Sequence, residues 1–440
     1  MTKDTRPNIL LIMTDQQSAS AMSCTGNPHL RTPAMDSLSV DGMRFEKAYC
    51  CNPICVPSRT SMFTGLMCHQ TGVMNNDAKT VEAGTCLGRL LREAGYATGY
   101  TGKWHIPHKI WDQEWSGFDF LSSVGNHNVD STIPDSCAEF MAVAENRPFF
   151  LVASFVNPHD VCQLARRIGG MDDKLPEGDI DEFPPIDQCP PLPMNFEIPD
   201  DEPEAVRLHQ MHSKSHERVY PTHNWGETEW RRYLWGSCRI VEKVDREISR
   251  LLDALRQKGL DQDTVIIFTS DHGDGMGAHR WNQKTVLYDE VVRVPFIMRQ
   301  TGTIKGDVVD TRALINTGID LATTCLGIAG VPVPVELKGQ DLYAYARGLT
   351  EKTHSFVVSQ TDLLFTASDS GKGVSGRMLR SSRYKYIVYN CGDKTEQLFD
   401  LDSDHGEVHN LAGQPEAAPI LDSHREMLEK WLRENGDKFK

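Results

Sequence analysis

Four stretches of this chain run from strand-like residues directly into charged or metal-ligating side chains. PNILLIMTD ends at Asp15, the segment up to Gly102 leads into Lys103 and His105, RPFFLVASFVNPHD ends at His159 and Asp160, and TVIIFTSDHGDG delivers Asp271 and His272. Unbroken apolar runs such as Ile9 to Met13 and Phe149 to Val156 read as strands buried on both faces, which occur in mostly parallel sheets covered by helices. Open sheets of that kind bind ligands beyond their strand ends. Four chemically loaded ends therefore predict an α/β, doubly wound sheet with one site along a single edge.

The intervening segments fit that architecture. A helix ahead of Gly95 precedes the Lys103 strand, and apolar positions from Trp230 to Leu255 keep helical spacing before Gly259 and the Asp271 strand. At 440 residues one large domain with a smaller companion is expected. Residues 1–340 are assigned to the catalytic domain. Residues 341–440 are assigned to a smaller α+β subdomain, in which SFVVSQT, GRMLRSSRYKYIVYN and EQLFDLD read as short strands before an amphipathic helix near 418–434. The stretch 161–225 is dense in Pro, Asp and Glu with little periodicity. It reads as a surface excursion that shapes a substrate site.

The formal charge of -15 argues against general binding to nucleic acid or acidic membranes, because the long-range field repels both. An anionic small substrate is compatible with it when cations gather in one cleft. No apolar run reaches the roughly 20 residues of a membrane-crossing helix. The twelve cysteines show neither disulfide-scaffold nor CxxC zinc spacing, and most read as buried thiols. The N-terminus has no long apolar stretch before a small-residue cleavage site. As it stands the chain is expected in the cytoplasm; a leader trimmed from it would make it periplasmic or secreted.

Each candidate residue has a plain structural reading beside the chemical one. Asp15 alone fits a helix cap or a solvated acid. Asp271 and His272, an oxygen and a nitrogen ligand followed by glycine, fit a divalent cation approached by backbone. Together the three suggest one shared metal, to which Gln16 adds a neutral amide oxygen unless it is a hydrogen-bonded structural residue. Lys103, His105, His159 and Lys284 each fit the surface or a satisfied core position. Gathered on one sheet edge, they supply the donors that a tetrahedral oxyacid ester needs around its oxygens. Cys55, in CVPSRTSMFTG, opens a helix with Pro57, Ser58 and Arg59 in its first turn, where free amides favour anions. A reactive thiolate and a buried thiol both stay open on these residues alone.

CVPSRTSMFTG resembles the signature C-x-P-S-R-x-x-x-L-T-G of the type I, formylglycine-dependent sulfatases of the alkaline phosphatase superfamily, with Phe63 in place of the usual Leu. The other motifs follow in that family's order, so the resemblance spans essentially the whole chain. It implies a large mixed, mostly parallel sheet sandwiched by helices, alkaline phosphatase-like, with the C-terminal subdomain built on a short antiparallel sheet. It also implies that Cys55 is no thiol in the working protein. A formylglycine-generating maturation enzyme that reads Pro57 and Arg59 converts it to formylglycine (3-oxoalanine). The hydrated aldehyde then attacks sulfur through a hydroxyl bound to one divalent ion, Ca2+ foremost with Mg2+ or Mn2+ as alternatives, and the second hydroxyl expels sulfate. By the same resemblance Asp15, Gln16, modified Cys55, Asp271 and His272 hold the metal, with Gln16 standing where the family commonly has a second Asp. Arg59 and Lys103 stabilise the diol, and His105 is its hydrogen-bond partner or base. His159 and Lys284 bind sulfate and assist the departing oxygen, with His159 as the proton donor.

The activity so implied is hydrolysis of a sulfate ester on a small substrate, a sugar by the family's habit. A formylglycine-dependent phosphonate monoester or phosphodiester hydrolase resembles it in fold, nucleophile and Asp-His pair, and is the alternative. Two other classes make distinct predictions. A non-catalytic binder of sulfated glycans keeps its affinity and releases no sulfate whatever the state of Cys55. A cysteine enzyme using the Cys55 thiolate is inactivated by alkylation. For the sugar, Trp104, Trp111 and Trp115 offer either a stacking wall or core, and Arg166, Arg167, His209, His212, His216 and Arg218 offer either carboxylate contacts or a solvated face.

Overall fold

The computed structural model describes residues 5–144, 147–215, 221–366 and 373–440. Eight strands form the central sheet: β1 Asn8–Asp15, β2 Met43–Tyr49, β3 Ala97–Gly102, β4 Phe120–Val124, β5 Phe149–Pro158, β6 Thr264–Ser270, β7 Phe296–Arg299 and β8 Val308–Asn316. Their order is β4-β3-β5-β1-β6-β7-β2-β8. Only β7 runs against its neighbours; the other described pairings are parallel, so the mixed, mostly parallel sheet expected from the sequence is what forms. The four strands legible in the sequence lie side by side as β3-β5-β1-β6, which brings their loaded ends into one row.

Burial on both faces explains the unbroken apolar runs. In β1, Ile9, Leu11 and Met13 enter one core and Leu10 and Ile12 the other. The long helix Glu227–Gln257 packs Val244, Ile248, Leu251 and Leu255 over the second of these. Helices Cys55–Thr64 and Thr317–Ala329 bury Met62, Phe63, Leu321 and Leu326 in the first. These two helices approach closely at Gly318, where a Cβ would come within 3.0 Å of the Ser61 Cβ.

A second, antiparallel sheet comprises β9 Phe356–Thr366, β10 Gly373–Ser381, β11 Tyr384–Tyr389 and β12 Glu396–Asp400. Its period-two alternation separates two jobs. Val357, Met378, Ile387 and Phe399 join the core of the main sheet, while Val358, Leu379, Tyr386 and Leu398 pack on Leu421 and Leu428 of the helix Ala418–Asn435. Strand β9 also reaches the loops around Cys55. The Ser359 hydroxyl donates to the Cys50 carbonyl, the Gln360 N–H to the Cys51 carbonyl at 2.7 Å, and the Thr361 hydroxyl to the Thr285 carbonyl at 2.7 Å.

Within the excursion, helices Val161–Ile168 and Glu204–Ser215 stand where little periodicity was read. Val161, Leu164 and Ala165 join Trp225, Trp230 and Tyr233 in a separate apolar cluster. Arg166 and Arg167 pair with Asp173 and Asp179, a charged face. His216, Arg218 and the His212 side chain lie outside the described residues. Among the described residues no helix is long and apolar enough to cross a membrane.

Candidate active site

Cys55 is the first residue of its helix, following Ile54 in extended conformation. Pro57 lies in the first turn, where a missing N–H forfeits no helical bond. Asn76 fills the opening from a distant loop: its side-chain oxygen accepts the Val56 N–H at 3.0 Å, as a capping residue does. The Ser58 hydroxyl donates to the Asp271 carbonyl at 2.6 Å and so pins the helix to the end of β6.

Asp15, Cys55, Asp271 and His272 are all buried, and one ligand atom from each lies within 4.8 Å of the others. The Cys55 Sγ is 3.7 Å from Asp15 Oδ1 and 3.2 Å from His272 Nε2. His272 Nδ1 donates to the Gly273 carbonyl at 2.8 Å, which fixes the tautomer and leaves the Nε2 lone pair facing the cluster. Gln16 meets the same group through its backbone, donating its N–H to Asp271 Oδ1 at 3.1 Å. Its side chain is engaged elsewhere: Nε2 donates to Asp274 Oδ2 at 2.8 Å, and Oε1 accepts the Cys162 thiol at 3.6 Å. Its φ of 69° turns the chain after Asp15, so these neighbours in sequence serve different polar groups.

Arg59 is the hub of the cationic half. Its Nε donates to Asp271 Oδ2 at 2.7 Å and its Nη2 to Asp15 Oδ2 at 3.2 Å, while Nη1 donates to the Lys103 carbonyl at 2.8 Å and the Ser154 hydroxyl at 2.9 Å. Lys103 Nζ lies 2.5 Å from Asp15 Oδ2, and Lys284 Nζ donates to the Cys55 Sγ at 3.1 Å. Gly102 permits this delivery of Lys103: at φ 95° any Cβ would come within 1.9 Å of the Ser154 carbonyl oxygen. Lys284 sits between Gln283 and Thr285, whose φ values are 69° and 81°, the latter rare for a β-branched residue. The Thr285 N–H donates to the Pro53 carbonyl at 2.9 Å, and His209 Nε2 shares a hydrogen bond with the Thr285 hydroxyl at 2.7 Å. His209 thus reaches from the excursion to the Lys284 loop.

The electrostatics follow from this crowding. Burial raises the Asp15 carboxyl, but Lys103, His159 and Arg59 outweigh it and hold the group well below the usual carboxylate range. Burial, and then Asp15 itself, push Asp271 up. Burial and Asp15 also raise the Cys55 thiol, yet Lys284, Lys103 and His272 prevail and bring it far below an ordinary thiol. For His272 burial lowers proton affinity, but Asp271 and Cys55 raise it above the usual imidazole value. That nitrogen sits in a field that favours a cation. Burial, then Lys103 and Lys284, hold His159 well below the imidazole range, so its ring is neutral near pH 7. The His159 and His127 rings are 6.2 Å apart, and His105 takes φ 51° with a buried Nδ1 that has no hydrogen-bond partner.

The row of strand ends therefore brings Asp15, Cys55, Arg59, Lys103, Asp271, His272 and Lys284 into direct contact, with His159 inside their electrostatic reach. Asn76, Ser154 and His127 were not singled out in the sequence. Asn76 and His127 arrive from loops without periodicity, and Ser154 is one small residue inside an otherwise apolar strand. Asp274, which holds Gln16 and accepts the Tyr233 hydroxyl at 2.9 Å, was visible in SDHGDG.

Comparison with known proteins agrees with this geometry. The sulfatase family model matches residues 7–331, and that of the N-sulphoglucosamine sulphohydrolase C-terminal region matches 277–434. A Δ4,5-hexuronate-2-O-sulfatase of Bacteroides thetaiotaomicron is 30% identical over 457 residues, covering 99% of this chain and 90% of that protein. An N-acetylglucosamine-6-O-sulfatase of the same organism is 26% identical, covering 98% and 87%. The solved structure of a 2-O GAG sulfatase has a TM-score of 0.85 at 28% identity, covering 99% of this chain and 93% of its own. The phosphonate monoester hydrolase of Agrobacterium radiobacter shares the fold, with a TM-score of 0.77 at 19% identity over 98% and 96%. The chain belongs to the sulfatase family, hydrolases of sulfuric esters.

Proposed function

We propose that the protein hydrolyses a sulfate ester on a carbohydrate, with residue 55, converted from cysteine to formylglycine by a maturation enzyme, as the reacting position. The observation that carries this is the convergence of two carboxylates, an imidazole nitrogen and the Lys284 ammonium on the one Cys55 side chain. The sugar sulfates named for its relatives support the substrate class.

The donor set fits a hard divalent ion: with the Cys55 sulfur replaced by oxygen it holds two carboxylates, one oxygen and one imidazole, for which Ca2+ is the first choice and Mg2+ or Mn2+ the alternatives. Asp15, Asp271, His272 and modified Cys55 would hold that ion, which would supply positive charge beside residue 55. The aldehyde at position 55 supplies, on hydration, the attacking oxygen. Gln16 braces the site through Asp274 and its backbone N–H.

The remaining work belongs to this chain's own side chains. Arg59 orients Asp15 and Asp271 and offsets their mutual repulsion. Lys103 neutralises Asp15 and, with Arg59, keeps positive charge beside residue 55. Lys284 and His159 bind the sulfate oxygens, a preorganised arrangement of the kind that dominates many catalysed transfers. Burial, with the two lysines, keeps His159 neutral before the ester binds. A bound sulfate cancels part of their field, raises the proton affinity of the ring, and lets it carry the proton that the departing sugar oxygen takes. His105, at the rim, orients the hydrated residue 55. Residues 1–340 carry this site, and the sheet within 341–440 backs it.

The test is sulfate release by matured protein, supplied with Ca2+, from defined sulfated mono- and disaccharides, with an aryl sulfate and an aryl phosphonate alongside. Sulfate release from a sugar, lost in Cys55→Ala, is expected. Turnover of the phosphonate with every sulfate silent would replace this reading with a phosphonate hydrolase. Activity of unmatured protein that alkylation abolishes would replace it with a cysteine enzyme, which the lowered Cys55 thiol 3.2 Å from His272 makes a concrete rival.

A further inference from the structure

His105 opens onto a cleft of about 500 Å3 whose walls include Lys79, Trp104, Lys109, Trp111 and Asn126. The structure separates the three tryptophans of this region. Trp104 is buried, and Trp115 packs on it and stacks on the His108 ring at 4.3 Å. Trp111 is 64% exposed, a large apolar ring left open to solvent beside an active site. Lys79 and Lys109 have no carboxylate partner among the described residues, while His108 in the same wall is held by Asp112 at 2.9 Å. Two uncompensated lysines facing one cleft reverse, locally, the sign of a chain whose net charge is -15.

The cleft is built as an extension of the catalytic edge. One segment leaving β3 carries Lys103, His105, Lys109 and Trp111, and Asn126, next to His127, closes the other side from the end of β4. A ligand held at residue 55 and projecting past His105 therefore enters it. A flat exposed indole suits the apolar face of a pyranose ring, and paired ammonium groups suit an acidic substituent on that ring.

We propose that this cleft binds the sugar residue adjoining the sulfated one, an anionic sugar whose ring rests on Trp111 and whose carboxylate or sulfate meets Lys79 and Lys109. The inference rests on the carbohydrate sulfatase reading and names the substrate more narrowly: an acidic oligosaccharide.

Trp111→Ala and the double variant Lys79→Ala/Lys109→Ala change exposed positions outside the catalytic cluster. In each, kcat/KM for a sulfated disaccharide with an acidic neighbour is expected to fall about tenfold, with the sulfated monosaccharide and aryl sulfate held within about twofold. Disaccharides whose neighbouring ring carries a carboxylate, a sulfate or neither identify the anion, and wild type should prefer either acidic form. Equal losses on mono- and disaccharide, no loss on the disaccharide, or equal use of the neutral neighbour would overturn the proposal. Calorimetric binding of the same sugars to unmatured protein reads the cleft without catalysis, and the variants should weaken disaccharide binding about tenfold. If no sugar releases sulfate yet that binding difference holds, the functional reading fails and the cleft stands. Unchanged binding in both variants overturns the cleft whatever the activity.

Discussion

Arg59 lies between Asp15 and Asp271 with no exposure to water, so its charge is answered by two buried carboxylates. Arg59→Ala leaves them facing each other with Lys103 and is expected to destabilise the metal-free protein by about 3–5 kcal/mol. A divalent ion restores part of that loss, and denaturant midpoints with and without Ca2+ measure both effects. Asn76→Ala removes the cap on the Cys55 helix and should lower stability by about 1 kcal/mol, read from the same curves. His279 sets a pH dependence. It stacks on Tyr288 at 4.0 Å, and burial brings its pKa down to about 4 from 6.5. Because the folded value is the lower one, the neutral ring contributes stability that is fully present above about pH 6.5 and lost as pH falls through 4, about 3 kcal/mol in all. His279→Asn, which tolerates the local φ of 50°, should flatten the denaturant midpoint across that window. At this scale the sequence exposed Cys55, Asp271 and His272 because each sits in a run whose offsets have a chemical meaning. It left Gln16 as either an amide ligand or a hydrogen-bonded residue, and one left-handed residue turns that side chain to Asp274; it was silent on Asn76, which reaches back twenty residues to Val56.

Strands β3, β5, β1 and β6 were legible because burial on both faces leaves an apolar run that ends abruptly in function. Strand β4 was not, since FLSSV is short and half-polar, and the four-residue β7 carries too little sequence to show a period. The second sheet was legible as strands, but its attachment was not. It sits against the Cys55 and Lys284 loops through Ser359, Gln360 and Thr361, and a buried group fastens it there. Lys385 Nζ lies 2.6 Å from Glu407 and 3.3 Å from Asp289. Lys385→Met takes the cation from Glu407, while Asp289 keeps Arg293 at 2.7 Å, and should destabilise by about 3–5 kcal/mol, whereas Lys385→Met/Glu407→Leu should recover much of it. Urea unfolding of the two variants decides this. An equal loss in both would show that the sheet is fastened by packing alone.

For the whole molecule, the excess of acid keeps anions at a distance while Arg59, Lys103, Lys284 and the lysines beside Trp111 gather positive charge at one sheet edge. Chelation of divalent ions should abolish sulfate release and lower the melting temperature, and Ca2+ should restore both, because the proposed ion would be the common partner of Asp15, Asp271 and His272. The central claim is that residue 55 reacts as an aldehyde rather than a thiol. Its most direct test is to prepare the protein with graded amounts of maturation enzyme, quantify by mass spectrometry the fraction of chains bearing the aldehyde at position 55, and measure sulfate release from one sugar sulfate in each preparation. The rate should rise in proportion to the aldehyde fraction and vanish with it. An undiminished rate from chains in which Cys55 is entirely thiol would contradict the account.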